Sequence, residues 1–191
     1  VLAVADVNTQ KYLKGLLKEI EGELNSVEVL IFPDEELIPD EKAIDAVQAS
    51  LEGIDLIIGI GSGVIQDLCK YVSHFNNIPY MVVATAPSMD GYASDGAAMI
   101  TGGMKVTYKA GLPRAIIADT EVLQKAPIDM IKAGYGDIIG KFSALNDWKL
   151  SKCINDEYFC DYIYNLTFDM LKAVLPLAKK LIRRDEEKKR E

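Results

Sequence analysis

Short apolar runs alternate with amphipathic stretches from Val1 to about Thr85, the pattern of a parallel sheet covered by helices. Val1–Ala5 reads as a first strand. Leu13, Leu16, Leu17, Ile20 and Leu24 then recur at helical spacing behind Asn8 and Thr9, either of which can cap, so a one-faced helix is predicted over Thr9–Leu24. Val27–Phe32 is a second strand. Pro39-Asp40 opens a helix carried by Ile44, Val47 and Leu51, and Asp55–Ile60 follows as a strand apolar on both faces, as an interior parallel strand is. A helix from about Val64 to Phe75 leads to Pro79 and a fourth strand, Tyr80–Thr85. Beyond a long polar loop, Ala86–Gly96, the segments Ala97–Ile100 and Lys105–Lys109 flank Gly102-Gly103 as a β-hairpin, and Ala115–Ala118 is expected to be a fifth buried strand. From Pro127 onward only helical spacing is present. The organisation expected is an α/β domain over residues 1–124 and an all-helical domain over 125–191, with the change near residues 120 to 127.

The chain has 191 residues, 49% of them hydrophobic and 26% charged, enough for one large core or two small ones. Lys and Arg total 21 against 29 Asp and Glu, and the net charge of −8 argues against a nucleic-acid backbone or an anionic membrane as partner. No run approaches the roughly 20 apolar residues of a membrane span, and no charged leader with a cleavage site opens the chain, so a cytoplasmic protein is expected. Cys69, Cys153 and Cys160 form no CxxC pair and are expected to be reduced, buried, apolar side chains. The opening apolar run without a methionine reads as an excerpt of a longer polypeptide. The helical pattern of Tyr162, Ile163, Leu166, Met170, Leu171, Val174, Leu175 and Leu181 runs past Pro176 into a charged tail, Arg183–Glu191, that reads as a helix end fraying in solvent.

Three segments could carry chemistry. Gly59-Ile60-Gly61-Ser62-Gly63 lies between a strand and a helix, where glycines permit a sharp turn and the free amides and dipole of the helix start suit a pyrophosphate. The same spacing also serves turns that only connect elements. Asp67, in the helix that follows, either balances the dipole or reaches the ligand. The second segment, Thr85-Ala86-Pro87-Ser88-Met89-Asp90-Gly91-Tyr92-Ala93-Ser94, leaves the C-terminal end of a parallel strand, the edge at which open α/β sheets bind ligands. Its hydroxyls and carboxylate can grip a ribose, a nicotinamide amide or a polyol, or can simply form turns. In the third, Asp137, Lys141, Ala144 and Trp148 share one helix face, and an Asp137–Lys141 pair in solvent is the plain explanation. Gly134, Gly136 and Gly140 are costly in a helix and suggest close packing there. No HxxxH cluster supplies further metal ligands, and the single His74 with no GxSxG turn gives no nucleophilic triad.

Together these segments resemble the iron-containing alcohol dehydrogenase and glycerol dehydrogenase superfamily, most closely its glycerol-1-phosphate dehydrogenase branch. Gly61-Ser62-Gly63-Val64-Ile65-Gln66-Asp67 looks like the family's GGGSxxxD loop, with Ile60 in place of one glycine. Residues 85–94 look like its TxxSxDGxAS loop, and Gly136-Asp137 with Lys141, Ala144, Asp147 and Trp148 looks like GDxxxKxxAxxDW. The resemblance implies a Rossmann-like domain followed by the start of an all-α domain, with the active site in the cleft between them. It implies NAD or NADP as cofactor, with Asp6, Gly61, Ser62, Gly63, Asp67, Thr85, Ser88 and Ser94 as cofactor-binding residues. An acidic Asp6 at the adenine ribose would repel a 2′-phosphate and so favours NAD. Asp90 is expected near nicotinamide and substrate, Lys141 is a candidate for the substrate phosphate, and Asp137 is expected to bind a divalent metal, Zn, Ni or Fe.

The activity implied is metal-assisted reduction of dihydroxyacetone phosphate to sn-glycerol 1-phosphate. Relatives draw two further metal-ligating histidines from helices beyond the length of this chain, so the 191 residues alone are expected to be inactive. The expected partner is a phosphorylated polyol or ketone, with a homo-oligomer as a further expectation. The rivals are a glycerol dehydrogenase acting on the free polyol, a dehydroquinate synthase, a non-catalytic nucleotide-binding module, and an assembly or interaction domain in which Gly59–Gly63 is only a tight turn.

Overall fold

Five strands rich in small and β-branched residues form one parallel sheet: β1 (Leu2–Asp6), β2 (Glu28–Phe32), β3 (Ile57–Gly61), β4 (Tyr80–Ala84) and β7 (Ala115–Ile117), in the order β2-β1-β3-β4-β7. In this computed structural model residues 1–20 and 22–183 are described. The register places Ala5 beside both Ile31 and Ile60, and Gly61 beside Ala84, so the C-terminal ends of β1, β3 and β4 share one edge. Every residue of β3 is buried, which is why its sequence lacks the polar alternation of a one-sided strand.

The sheet has a core on each face. Ala3, Ala5, Ile58 and Ile60 pack with Leu13 of α1 (Gln10–Ile20). Leu2, Val4 and Ile57 pack with Ile44 and Val47 of α2 (Glu41–Ala49) and with Ile65, Leu68 and Val72 of α3 (Gly63–Asn76). Asp40 starts α2 as expected, its carboxylate accepting from the Ala43 N–H at 3.0 Å. The hairpin of β5 (Gly96–Thr101) and β6 (Met104–Lys109) is present and contributes Ala97 and Met99 to the second core. Its turn needs Gly102 and Gly103, whose φ angles are +59° and +76°.

After the short helix α4 (Thr120–Leu123) come α5 (Ile128–Asn155), α6 (Asp161–Val174), a 3-10 turn at Leu175–Leu177 that holds Pro176, and α7 (Ala178–Arg183). The α5–α6 pair meets through aromatic rings, Phe142 on Phe168 at 5.7 Å, and Trp148 of α5 packs on Phe159 in the connection between the two helices at 4.5 Å. Contacts divide the chain into two units: Val1–Pro87 with Gly91–Ala126, and Ser88–Asp90 with the chain from Pro127 onward. The fold is thus an α/β Rossmann-like sheet followed by helices. Among the described residues no helix is long and apolar enough to cross a membrane.

Several expectations are corrected. The first helix ends at Ile20, ahead of Gly22, so Leu24 lies outside it. The fifth strand is not buried: β7 is a sheet edge, and Ile116 and Ile117 are 40% and 43% exposed. Of the cysteines only Cys69 is buried, with its thiol pushed up to about 12 by desolvation, while Cys153 is exposed and Cys160 partly so. Gly134 is buried, but a Cβ at Gly136 or Gly140 would meet nothing within 4 Å, so those two do not mark close packing. The expected fraying tail lies, from residue 184 on, outside the described residues.

Candidate functional site

The glycine turn closes the C-terminal end of β3 and opens α3. Gly61 is fixed by packing: a Cβ there would come within 2.6 Å of Ile65 Cβ, and one at Gly59 within 3.0 Å of Cys69 Sγ. Helix α3 therefore sits hard against β3. Ser62 at the helix start makes no side-chain cap hydrogen bond, so its hydroxyl does not take up the first amides of α3. A 14-residue helix with an uncapped start at the end of a central parallel strand is a place where an anion fits.

Asp6 ends β1 on one side of this turn. Its Oδ1 accepts from the Asn8 N–H at 2.8 Å, the Thr9 N–H at 2.9 Å and the Thr9 hydroxyl at 3.0 Å, which shapes the entry to α1. Its Oδ2 accepts no hydrogen bond among the described residues. On the other side, Thr85 is buried and donates its N–H to Gly61 O at 3.1 Å, docking the start of the second loop on the glycine turn.

Asp67 lies on α3, turned toward β5, where the Ala98 N–H bonds it, and toward Lys70 Nζ at 3.6 Å. Burial raises its carboxyl above the usual range, opposed by Lys70. Ser94 is exposed yet engaged, accepting from Lys70 Nζ at 3.1 Å and donating to Gly91 O at 2.9 Å. Sequence reasoning missed Lys70 and its neighbour Gln66, both completely buried. The signal was available as a lysine inside the apolar run Leu68-Cys69-Lys70-Tyr71-Val72, three residues beyond an aspartate.

The helical unit holds a second cluster. Asp90 and α5 meet there: the Asp90 N–H donates to Asp137 Oδ2 at 2.9 Å, Lys141 Nζ lies 2.9 Å from Asp90 Oδ2, and it is 3.6 Å from Asp137 Oδ1. The Asp90 N–H holds the Asp137 carboxyl below its usual value, with Lys141 adding to the effect. The hydrogen bond to the Asp90 carboxylate, with the charges of both aspartates, raises the Lys141 ammonium. Ser88 belongs to this unit and is half-buried. The expected site residues thus fall into two sets: Asp6, Gly61, Ser62, Gly63, Asp67, Thr85 and Ser94 in the α/β unit, and Ser88, Asp90, Asp137 and Lys141 in the helical one.

Asp137 does not stand in a metal-binding set. Among the described residues no three His, Cys, Asp or Glu side chains gather, and both Asp137 oxygens face N–H donors. An ammonium occupies the position between the two carboxylates that a cation would share.

A sequence profile described as iron-containing alcohol dehydrogenase matches residues 1–127. The glycerol-1-phosphate dehydrogenase [NAD(P)+] of Geobacillus stearothermophilus is 37% identical over 180 residues, 91% of this chain and 44% of that protein. Among solved structures, the glycerol dehydrogenase of Schizosaccharomyces pombe superposes with a TM-score of 0.65 at 22% identity, over 79% of this chain and 39% of its own. A 2-deoxy-scyllo-inosose synthase complexed with carbaglucose-6-phosphate, NAD+ and Co2+ gives 0.62 at 21% identity, over 72% and 40%. The chain spans less than half the length of these three.

Proposed function

This chain belongs to the iron-containing alcohol dehydrogenase family, and from that premise we propose that the protein reduces dihydroxyacetone phosphate to sn-glycerol 1-phosphate with NADH or NADPH. The observation that carries the reading is the 37% identity sustained over 91% of the chain with a glycerol-1-phosphate dehydrogenase. A bound reduced dinucleotide would supply the hydride that the ketone carbon takes up, and with one proton at the ketone oxygen the products would be oxidised dinucleotide and the secondary alcohol.

The α/β unit binds the dinucleotide. Its pyrophosphate takes the uncapped start of α3, the adenine ribose takes the free Oδ2 of Asp6, and the nicotinamide half follows the loop that Thr85 begins. An anion at Asp6 disfavours a 2′-phosphate, so NADH is the preferred donor. In the helical unit Lys141 offers the substrate phosphate a cation, and Asp90 orients that lysine. A divalent metal, Zn, Ni or Fe, would supply Lewis-acid polarisation of the ketone oxygen. Asp137 is the ligand candidate, but no three His, Cys, Asp or Glu side chains gather among the described residues, so these residues do not hold the ion by themselves.

Calorimetric titration of the 191-residue chain with NADH and NADPH tests the first part: NADH binds more tightly, and absence of binding by both overturns the reading. Oxidation of NADH, followed with dihydroxyacetone phosphate and with dihydroxyacetone as alternative acceptors and with each cation added, tests the second. A polypeptide that carries these residues and runs the length of the relatives, the full-length protein of this test, is expected to turn over the phosphorylated ketone, and the 191-residue chain alone to bind without turnover. Preference for the free ketone would make it a glycerol dehydrogenase, and no turnover by the full-length protein would make it a nucleotide-binding module.

A further inference from the structure

Lys70 is the one charged side chain among the described residues that is completely buried. Burying an ammonium is costly unless every N–H finds an acceptor. Here three are supplied, all by one short segment: Gly91 O at 3.3 Å, Ser94 Oγ at 3.1 Å and Gly96 O at 2.8 Å, with the Asp67 carboxylate at 3.6 Å as counter-charge. One helical turn earlier, Gln66 is equally buried, and its Nε2 donates to Gly91 O at 2.9 Å and Tyr92 O at 3.0 Å. The amide orientation follows from these partners, since a flipped Gln66 would set its oxygen against two carbonyls. The Tyr92 hydroxyl ties the segment back to the start of the loop by donating to Ala86 O at 2.8 Å. Two side chains on one face of α3 thus hold residues 91–96 by their carbonyl and hydroxyl oxygens.

The place of that segment gives the grip its meaning. The glycine turn ends β3, which lies between β1 and β4. A dinucleotide whose pyrophosphate rests on the turn must send one nucleoside half over β1, where Asp6 stands, and the other over β4. The chain leaving β4 is the one Lys70 holds, and its first N–H, from Thr85, is already docked on Gly61 O. Neither Lys70 nor Gln66 forms part of the pyrophosphate cradle.

We propose that Lys70, assisted by Gln66, is a positioning residue that fixes residues 91–96 in the form that receives the nicotinamide half of the cofactor. The proposal rests on the dinucleotide reading given above. A lysine used in this way specifies one loop geometry through three directional bonds, which an apolar side chain of the same length does not.

The test compares NADH with ADP-ribose, which carries the adenosine, both phosphates and the second ribose but no nicotinamide. In the 191-residue chain Lys70→Met raises the dissociation constant for NADH about ten-fold, equivalent to about 1.4 kcal/mol, and leaves that for ADP-ribose within about two-fold. A general loosening of the fold would weaken both ligands alike, so equal losses overturn the proposal, as does an unchanged affinity for NADH. Should Lys70→Met fail to fold, Gln66→Met serves, because it also removes the buried Gln66 Oε1, which has no partner among the described residues. Its expected effect is about three-fold on NADH alone, and equal or absent effects again overturn the proposal. If the unaltered chain binds neither ligand, the dinucleotide reading itself has failed, and this inference with it.

Discussion

Leu68 on α3 and Leu166 on α6 are the same side chain on helices of equal length, 14 residues, yet the first is fully buried and the second 47% exposed. Helix α3 is enclosed by the sheet, α2 and the hairpin. Helix α6 has Leu171 as its one buried residue and displays Tyr162, Ile163 and Met170 as well. Helical periodicity is the same in both, so what separates them is tertiary packing. Leu68→Ala is therefore expected to cost about 2–5 kcal/mol and Leu166→Ala under about 1 kcal/mol. Urea denaturation of the two variants measures this, and an equal or inverted ranking breaks the comparison.

Glycines sharpen it, because the same residue type has opposite worth in the two units. A Cβ at Gly61 would overlap Ile65, so Gly61→Val is expected to cost about 1–3 kcal/mol through overpacking. Adding Ile65→Ala removes the Cγ1 contact at 2.7 Å but leaves Ile65 Cβ at 2.6 Å, so it should return only a part of that loss, which a double-mutant cycle reads directly. Gly136 lies in the middle of α5 with open space around it, and Gly136→Ala should raise stability by about 0.5–1 kcal/mol through helix propensity. A destabilised Gly136→Ala chain would show that the open space around that glycine is needed. The Gly61 result also bears on function, since loss of dinucleotide binding in Gly61→Val would reflect a displaced α3 as much as a blocked phosphate.

What was legible in the sequence follows the same division. Alternation and spacing located the strands and the three longer helices of the α/β unit within a few residues, because buried parallel strands and one-faced helices leave a periodic trace, whereas the four-residue α4 is too short to leave one and was not expected. The burial of Ala115–Ala118 was misjudged because an apolar edge strand and an interior one read alike. The three segments expected to carry chemistry are where the fold brings groups together, with Thr85 on Gly61 and Asp90 on Asp137 and Lys141. The Asp137–Lys141 pair was visible from i, i+4 spacing, whereas the Asp90 link, 47 residues away, was not. The hydrogen-bond partners of Lys70 were hidden for a related reason: Gly91, Ser94 and Gly96 are more than twenty residues distant, so the lysine inside an apolar run near Asp67 showed its burial but not what it holds.

The two lysines give the finest contrast. Burial pulls the Lys70 ammonium below its ordinary value, whereas the bond to Asp90 lifts Lys141 above it. Asp137 is shifted down, chiefly by the Asp90 N–H. A carboxyl held below its unfolded value contributes stability above that value and loses it as pH falls through the folded one, so the Asp137 contribution disappears below about pH 3.8. A lysine held above its unfolded value contributes below it and loses that contribution as pH rises through the folded one, here beyond about 10.5. Asp137 and Lys141 are partly exposed, and solvent screening keeps each contribution below about 1 kcal/mol. Asp137→Asn should accordingly flatten the acid limb of the stability profile while leaving the neutral region within that margin. Carboxyl NMR titration of the unaltered chain should show Asp137 protonating below the ordinary aspartate range. An Asp137 that titrates at or above 3.8 would mean that the Asp90 N–H does not hold it in solution. The loop from β4 would then lack the hydrogen bond that ties Asp90 to α5.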